Sequence, residues 1–161
     1  MTSPSIATRT RANSADKKFV LFPIGKKRFA LPADVVTELA QPDHLQVFPH
    51  TTPLLAGILV RRGRVVPVFD AAQILVGKNA PPRKFYLIVT RDFSDHSEWT
   101  AIPVSGECEL STCSLLPRAA RLPEYVTGLL DMGGEIVEVL DMKKLAAAGV
   151  AISGPEAKNN E

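Results

Sequence analysis

The stretch Gly57-Ile-Leu-Val-Arg-Arg-Gly-Arg-Val-Val-Pro-Val-Phe-Asp70 decides how this chain is read. β-Branched and apolar residues run up to Arg62-Gly63 and away from it, which predicts a hairpin turning at that glycine. Displaced by 71 residues, the chain matches itself here. Gly57 falls on Gly128, Gly63 on Gly134, Val66 on Val137, Val68 on Val139 and Asp70 on Asp141. Upstream, Ala30-Leu-Pro32 falls on Ala101-Ile-Pro103, and Glu38-Leu39 on Glu109-Leu110. Agreement in order and spacing over the whole core is the mark of a duplication rather than of generic hairpin chemistry.

Working outward, Phe19–Ile24 and Arg28–Pro32 flank Gly25-Lys26-Lys27 and read as a second hairpin. The other copy begins at Phe85-Tyr-Leu-Ile-Val89, and its first hairpin carries a longer polar tip, Asp92 to Glu98. Ala71–Val76 lacks breakers and predicts a short helix that Gly77 ends. Each copy thus supplies about five short strands, which avoid exposed edges by curling into a small barrel. The glycines at 57, 63, 128 and 134 belong at bends where a Cβ is unwelcome. Residues 1–17 and 151–161 read as polar arms, and Lys78–Pro82 as a linker. The core, 18–150, divides into intertwined halves of roughly 18–80 and 81–150.

Composition narrows the function. With 19 basic and 17 acidic residues, nothing in the charge balance calls for a polyanion. The longest apolar run, Leu54–Val60, is far shorter than the ~20 residues a membrane span needs. The amino-terminal residues carry no apolar secretory core, and two cysteines, Cys108 and Cys113, make no disulfide framework. A cytoplasmic globular protein, without membrane insertion, is the expectation.

Chemistry is not indicated. His44, His50 and His96 stand in no catalytic or metal motif, and the two cysteines lack a second ligand pair for zinc. Neither a dinucleotide nor a Walker pattern is present, so no cofactor is expected. The basic clusters Lys26–Arg28 and Arg61–Arg64 sit on hairpin turns, and their aromatic neighbours Phe29 and Phe69 have core spacing. That favours solvated turns over a nucleic-acid stacking platform. A small-barrel nucleic-acid binder and a ligand sensor using the groove between barrels remain the alternatives.

The pieces Phe29-Ala-Leu-Pro-Ala-Asp-Val-Val-Thr-Glu-Leu39, Thr52-Pro-Leu-Leu-Ala-Gly57 and Arg62-Gly63-Arg-Val-Val-Pro-Val-Phe-Asp70 together resemble the CheW-like domain family. Tyr125-Val-Thr-Gly128 and Glu135-Ile-Val-Glu-Val-Leu-Asp141 extend the resemblance through the second half. It implies a mainly β fold: two five-stranded SH3-like β-barrels, packed on a shared core, with short helices. It also implies a non-catalytic chemosensory adaptor, which binds the cytoplasmic tip of a methyl-accepting receptor and the regulatory domain of a CheA-type histidine kinase. Carried over by position, Val36, Glu38, Leu39, Gly57 and Arg62 fall on the receptor surface, with Val36 and Leu39 as apolar anchors. For the kinase, the hairpin Gly128–Leu140 is the expected surface, with Gly128, Leu130, Glu135 and Val137 as its contacts. The chain departs from the family pattern at Val60-Arg61, where Asn-Leu is usual, at Ala71-Ala72 for Leu-Arg, and at Ser105 for Asp. These departures suggest a divergent accessory form with weakened kinase coupling in a motility pathway.

Overall fold

A computed structural model describes residues 16–41, 45–47, 54–77, 83–117 and 121–149. The arm up to residue 15, the linker 78–82, the tail 151–161 and both His44 and His50 lie outside the described residues. The strands are β1 (Lys17–Ile24), β2 (Lys27–Pro32), β3 (Val36–Ala40), β4 (Leu55–Arg61) and β5 (Arg64–Phe69) in the first copy. They are β6 (Phe85–Asp92), β7 (Ser97–Val104), β8 (Glu109–Cys113), β9 (Val126–Met132) and β10 (Glu135–Leu140) in the second. A 3-10 turn, Ala33–Val35, precedes β3. The helix α1 (Ala72–Leu75) falls inside the predicted span, and a second helical run, α2, covers 142–149.

The strands assemble into two five-stranded sheets, β8-β1-β2-β10-β9 and β3-β6-β7-β5-β4. Each sheet takes a hairpin from one copy and three strands from the other, so the halves are intertwined by exchange. The copies join on both sides of each hairpin: antiparallel at β1–β8 and β3–β6, and parallel where Val139 lies beside Ala30 and Val68 beside Ala101. A shift of 71 residues carries one parallel joint onto the other. Both sheets roll up. Gln46 and Ile58 exchange two backbone hydrogen bonds of 2.9 Å, and the Leu116 N–H donates to the Leu129 carbonyl at 2.8 Å. We name the results the β1 barrel and the β6 barrel, after the hairpin that opens each.

Alternation then sorts the side chains into three cores. Phe19, Leu21, Ala30, Leu130, Val137 and Val139 fill the β1 barrel. Ala40, Leu59, Val66, Val68, Tyr86, Ile88 and Ala101 fill the β6 barrel. Between the barrels lies a larger shared core containing Phe22, Phe29, Leu31, Leu87, Val89, Ile102, Leu140 and, from α2, Met142 and Leu145. Most β6-barrel core positions are the 71-residue images of β1-barrel ones: Leu59 of Leu130, Val66 of Val137, Val68 of Val139, Ala101 of Ala30. The repeat in sequence is therefore a repeat in packing.

The duplicated glycines have two different causes. At the β4–β5 and β9–β10 turns, Gly63 and Gly134 have φ of +75° and +98°, which the two-residue hairpin needs. At Gly57 the constraint is space: a Cβ there would stand 2.5 Å from the backbone oxygen of Gln46, at the point where the β6 barrel closes. Both hairpins also carry a bulge at the same repeat position, beside Gly57 in one and Gly128 in the other.

Leu59→Ala and Leu130→Ala are expected to cost similar amounts, about 2–5 kcal/mol each, because each empties the same position of one barrel. Urea unfolding monitored by circular dichroism checks this. A large difference between the two would show that the barrels are not energetically equivalent.

Candidate functional site: the mouth of the β6 barrel

Register places the predicted residues around one end of the β6 barrel. Glu38 lies opposite Ile88, an inner residue, so its side chain points to the barrel's inner face. Across the hairpin, Leu59 pairs with Val66 inside, and two residues further on Arg61 pairs with Arg64 on the same face. The carboxylate and the two guanidinium groups are thus the last inward positions before the barrel opens to water. Arg64 stacks its guanidinium 4.0 Å from the ring centre of Trp99, which packs on the inner core.

Glu38 holds two arginines. Its Oε2 accepts a hydrogen bond from Nε of Arg61 at 3.1 Å and lies 3.1 Å from Nη2 of the same guanidinium in an ion pair. Its Oε1 accepts from Nη2 of Arg62 at 3.2 Å. The carboxylate side chain is 16% exposed, Arg61 37% and Arg62 68%, so the pairing is graded from barrel to solvent. Hydrogen bonds from Arg61 first, then Arg62, hold the Glu38 carboxyl below the ordinary glutamate range. The clasp has a second consequence: β3 and β4 are the two edges of this sheet, and Glu38 with Arg61 ties them together.

Arg62 is the only non-glycine residue with positive φ among the described residues, at +53°. Its repeat image is Gly133, φ +67°, the residue that such a turn prefers. An L side chain in this conformation costs about 1 kcal/mol. The turn thus carries arginine where its duplicate carries the residue this backbone conformation favours.

Val36 and Leu39 complete the rim. Val36 is opposite Val89 and Leu39 opposite Leu87, both residues of the shared core, so the two face the inter-barrel side of the sheet. Leu39 is 38% exposed and Val36 half-buried. Leu39 faces that side by ordinary alternation, and a bulge at Thr37 lets Val36 do so while Glu38 faces inward. Close by, a groove cavity of about 300 Å³ runs between the barrels, lined by Leu31, Val35, Thr90 and Thr127 among others. Gly57 is buried beneath Leu45 and Gln46 and contributes by letting the strands close.

The expected kinase surface is placed differently. Leu130 and Val137 have no exposed surface and belong to the β1-barrel core, and Gly128 is buried under Leu115. None of these three is able to touch a partner in the folded protein; of the four, only Glu135 presents its side chain to solvent. Glu135, Val137 and Val139 line one face of β10, the inward one; Val137 lies inside the barrel, and only Glu135, at its open mouth, reaches water. On this hairpin the exposed apolar residue is Ile136, 48% exposed, while the equivalent β4–β5 hairpin pairs Val60 directly with Val65 on its outer face, 59% and 64% exposed.

The β1-barrel mouth provides an internal comparison. Arg28 stands at the image of Trp99, Glu109 at that of Glu38, Met132 at that of Arg61 and Glu135 at that of Arg64. Arg28 bonds Glu135 through Nη2 at 2.7 Å and Glu109 through Nη1 at 2.9 Å. One cation among two carboxylates here faces two cations around one carboxylate there. The remaining candidate chemistry does not converge: no group of three or more His, Cys, Asp and Glu able to hold a metal occurs among the described residues. The Cys108 thiol is pushed up to about 11 by burial, which leaves it protonated and unreactive at neutral pH.

Two outcomes follow for stability. Because the folded pKa of Glu38 lies below its unfolded value, its contribution is complete above the ordinary range, about 4.3, and is lost as pH falls through the folded value. Glu38→Gln is expected to flatten part of the acid limb of melting temperature against pH, by an amount typical of surface pairs, under about 1 kcal/mol. Arg62→Gly relieves the turn while losing one exposed bond, so its melting temperature is expected to hold or rise by up to about 4 °C. Calorimetry from pH 3 to 7 reads both variants, taking that window as roughly one pH unit below the carboxylate range and upward.

Comparison with known proteins agrees with this architecture. The sequence matches the CheW-like domain family over residues 18–149. No curated protein sequence matches this one closely enough to count as a relative. Among solved structures, the crystal structure of the scaffolding protein TtCheW from Thermoanaerobacter tengcongensis superposes with a TM-score of 0.68 at 17% identity, covering 84% of this chain and 91% of that one. That likeness shows the fold, with its two SH3-like subdomains. With the family matched across both barrels and the shared core, this chain belongs to the CheW-like family, the non-catalytic scaffolding adaptors of chemotaxis.

Proposed function

We propose that this protein couples the cytoplasmic tips of methyl-accepting receptors to a CheA-type histidine kinase, acting in the cytoplasm through non-covalent contacts. The observation that carries the receptor half is the β6-barrel mouth: a half-exposed ion cluster, Glu38 with Arg61 and Arg62, beside the apolar rim Val36 and Leu39. Apolar anchors supply affinity at such a surface, and charge sets register and partner choice. Gly57 belongs to this site as a closure point of the barrel rather than as a contact.

For the kinase regulatory domain, the outer face of β4–β5 is the better candidate surface, with Val60 and Val65 flanked by Ile58 and Pro67. A cross-strand apolar pair this exposed gains free energy when another protein covers it. A divergent accessory form with weakened kinase coupling fits the position of Val60, one of the departures from the family pattern, on this face. Of the other departures, Arg61 lies on Glu38 at the receptor mouth, whereas Ala71 and Ala72 are buried in the shared core and the Ser105 hydroxyl accepts the Gly25 N–H at 2.7 Å.

Against the nucleic-acid reading, the first basic cluster is largely neutralised within the chain, Lys27 by Glu138 and Arg28 by Glu135 and Glu109. In the second, Arg61 and Arg62 are both turned onto Glu38 and Arg64 onto Trp99, which leaves no aromatic among the described residues free to stack a base beside them.

The test is co-purification of the full chain with receptor tip fragments and with kinase regulatory domains. Arg62→Glu and Glu38→Arg are expected to weaken receptor binding at least tenfold while moving the melting temperature by no more than about 4 °C. Unfolded variants with unchanged binding per folded molecule would make the residues structural and refute the assignment. Val65→Asp is expected to reduce kinase-domain binding and spare receptor binding; the reverse pattern would move the kinase surface elsewhere.

A further inference from the structure

The two arginines on Glu38 are not equivalent, and their difference identifies the chemistry of the receptor segment; this step rests on the receptor reading above. We propose that Arg61 is the fixed counter-ion that closes the β6 barrel, and that Arg62 is the exchangeable one, which leaves Glu38 on docking for a carboxylate of the receptor tip.

Four observations support the division. Arg61 is the in-strand residue, on the inner face with Leu59, and puts two nitrogens on Glu38 Oε2. Arg62 is in the turn, is the most exposed member of the cluster, and reaches Oε1 through a single nitrogen. When Arg62 departs, Arg61 still satisfies the carboxylate, so the exchange strands no charge inside the barrel mouth. Finally, Arg62 keeps its side chain in a backbone conformation for which its repeat image uses glycine, so its presence is not accounted for by the turn.

Charge selects the partner. Around Glu38 stand Arg61, Arg62 and Arg64, an excess of cation over carboxylate, with Arg64 held on Trp99. The matching mouth of the β1 barrel has Glu109 and Glu135 around Arg28 and repels a carboxylate. An acidic side chain therefore distinguishes two mouths built on the same backbone plan, and the receptor tip docks at only one of them.

The experiment uses the full chain, a purified receptor tip fragment that binds the wild type, and the variants Arg61→Gln and Arg62→Gln. Affinity is measured against salt concentration, and the Glu38 side-chain carboxyl is titrated by carbon-detected NMR in the free protein. Arg62→Gln is expected to weaken binding tenfold or more and flatten its salt dependence, with the Glu38 titration changed little. Arg61→Gln is expected to weaken binding less than threefold while moving the Glu38 titration up and lowering the melting temperature. Binding lost with Arg62→Glu is expected to return when one acidic residue of the tip is changed to Lys. A larger binding loss with Arg61→Gln than with Arg62→Gln, a Glu38 titration more sensitive to Arg62, or no restoring Lys anywhere in the tip overturns the proposal. If no receptor tip binds the wild type, the receptor reading itself fails, and the titration alone still decides which arginine is the fixed one.

Discussion

The two copies hold each other together through strand pairing across both edges of each hairpin. On one side the contacts are parallel, Val139 against Ala30 and Val68 against Ala101; on the other they are the antiparallel pairs β1–β8 and β3–β6. Together they set a hairpin of one copy between three strands of the other, so neither barrel has a complete wall without both halves of the chain. The shared core between barrels follows from the same exchange, because the first hairpin of each copy sends one face inward to its own barrel and the other to the centre. A unit of about 70 residues has little interior of its own, and here three small cores support one another.

Within that frame the two barrels have diverged at their ends while keeping their interiors. Leu59 and Leu130, Val66 and Val137 occupy matching sites, because a barrel this narrow tolerates few changes of volume. One turn farther from the core, the same positions carry opposite chemistry: Trp99 for Arg28, Arg61 for Met132, Arg64 for Glu135. The core conserves geometry, and the rims, where packing imposes little, carry the differences that a binding protein needs.

Much of this was legible in the sequence, and the reasons for the rest are specific. The repeat displaced by 71 residues contains the hairpins, the bulge glycines and the barrel cores, since β periodicity and turn chemistry are local properties. The exchange of strands was less accessible, because register between distant strands is set by burial rather than by neighbours in the chain. Arg61 is the main partner of Glu38 and the sequence reading names only Arg62 with it, although the alternation of Arg61 with Leu59 places it inward. Leu130 and Val137 were misplaced for the complementary reason. A hairpin with glutamates at 135 and 138 looks solvated until the bulge beside Gly128 and the pairing to β2 fix which face is covered.

The two mouths differ in local charge although the whole chain carries only +2. One gathers Arg61 and Arg62 on Glu38, with Arg64 paired across the hairpin from Arg61; the other sets Arg28 between Glu109 and Glu135. Fields of this kind reach about a Debye length, about 8 Å at physiological salt, so they act close to each mouth and not through the net charge. The duplication that built two similar barrels thus ends in two openings of unlike local charge.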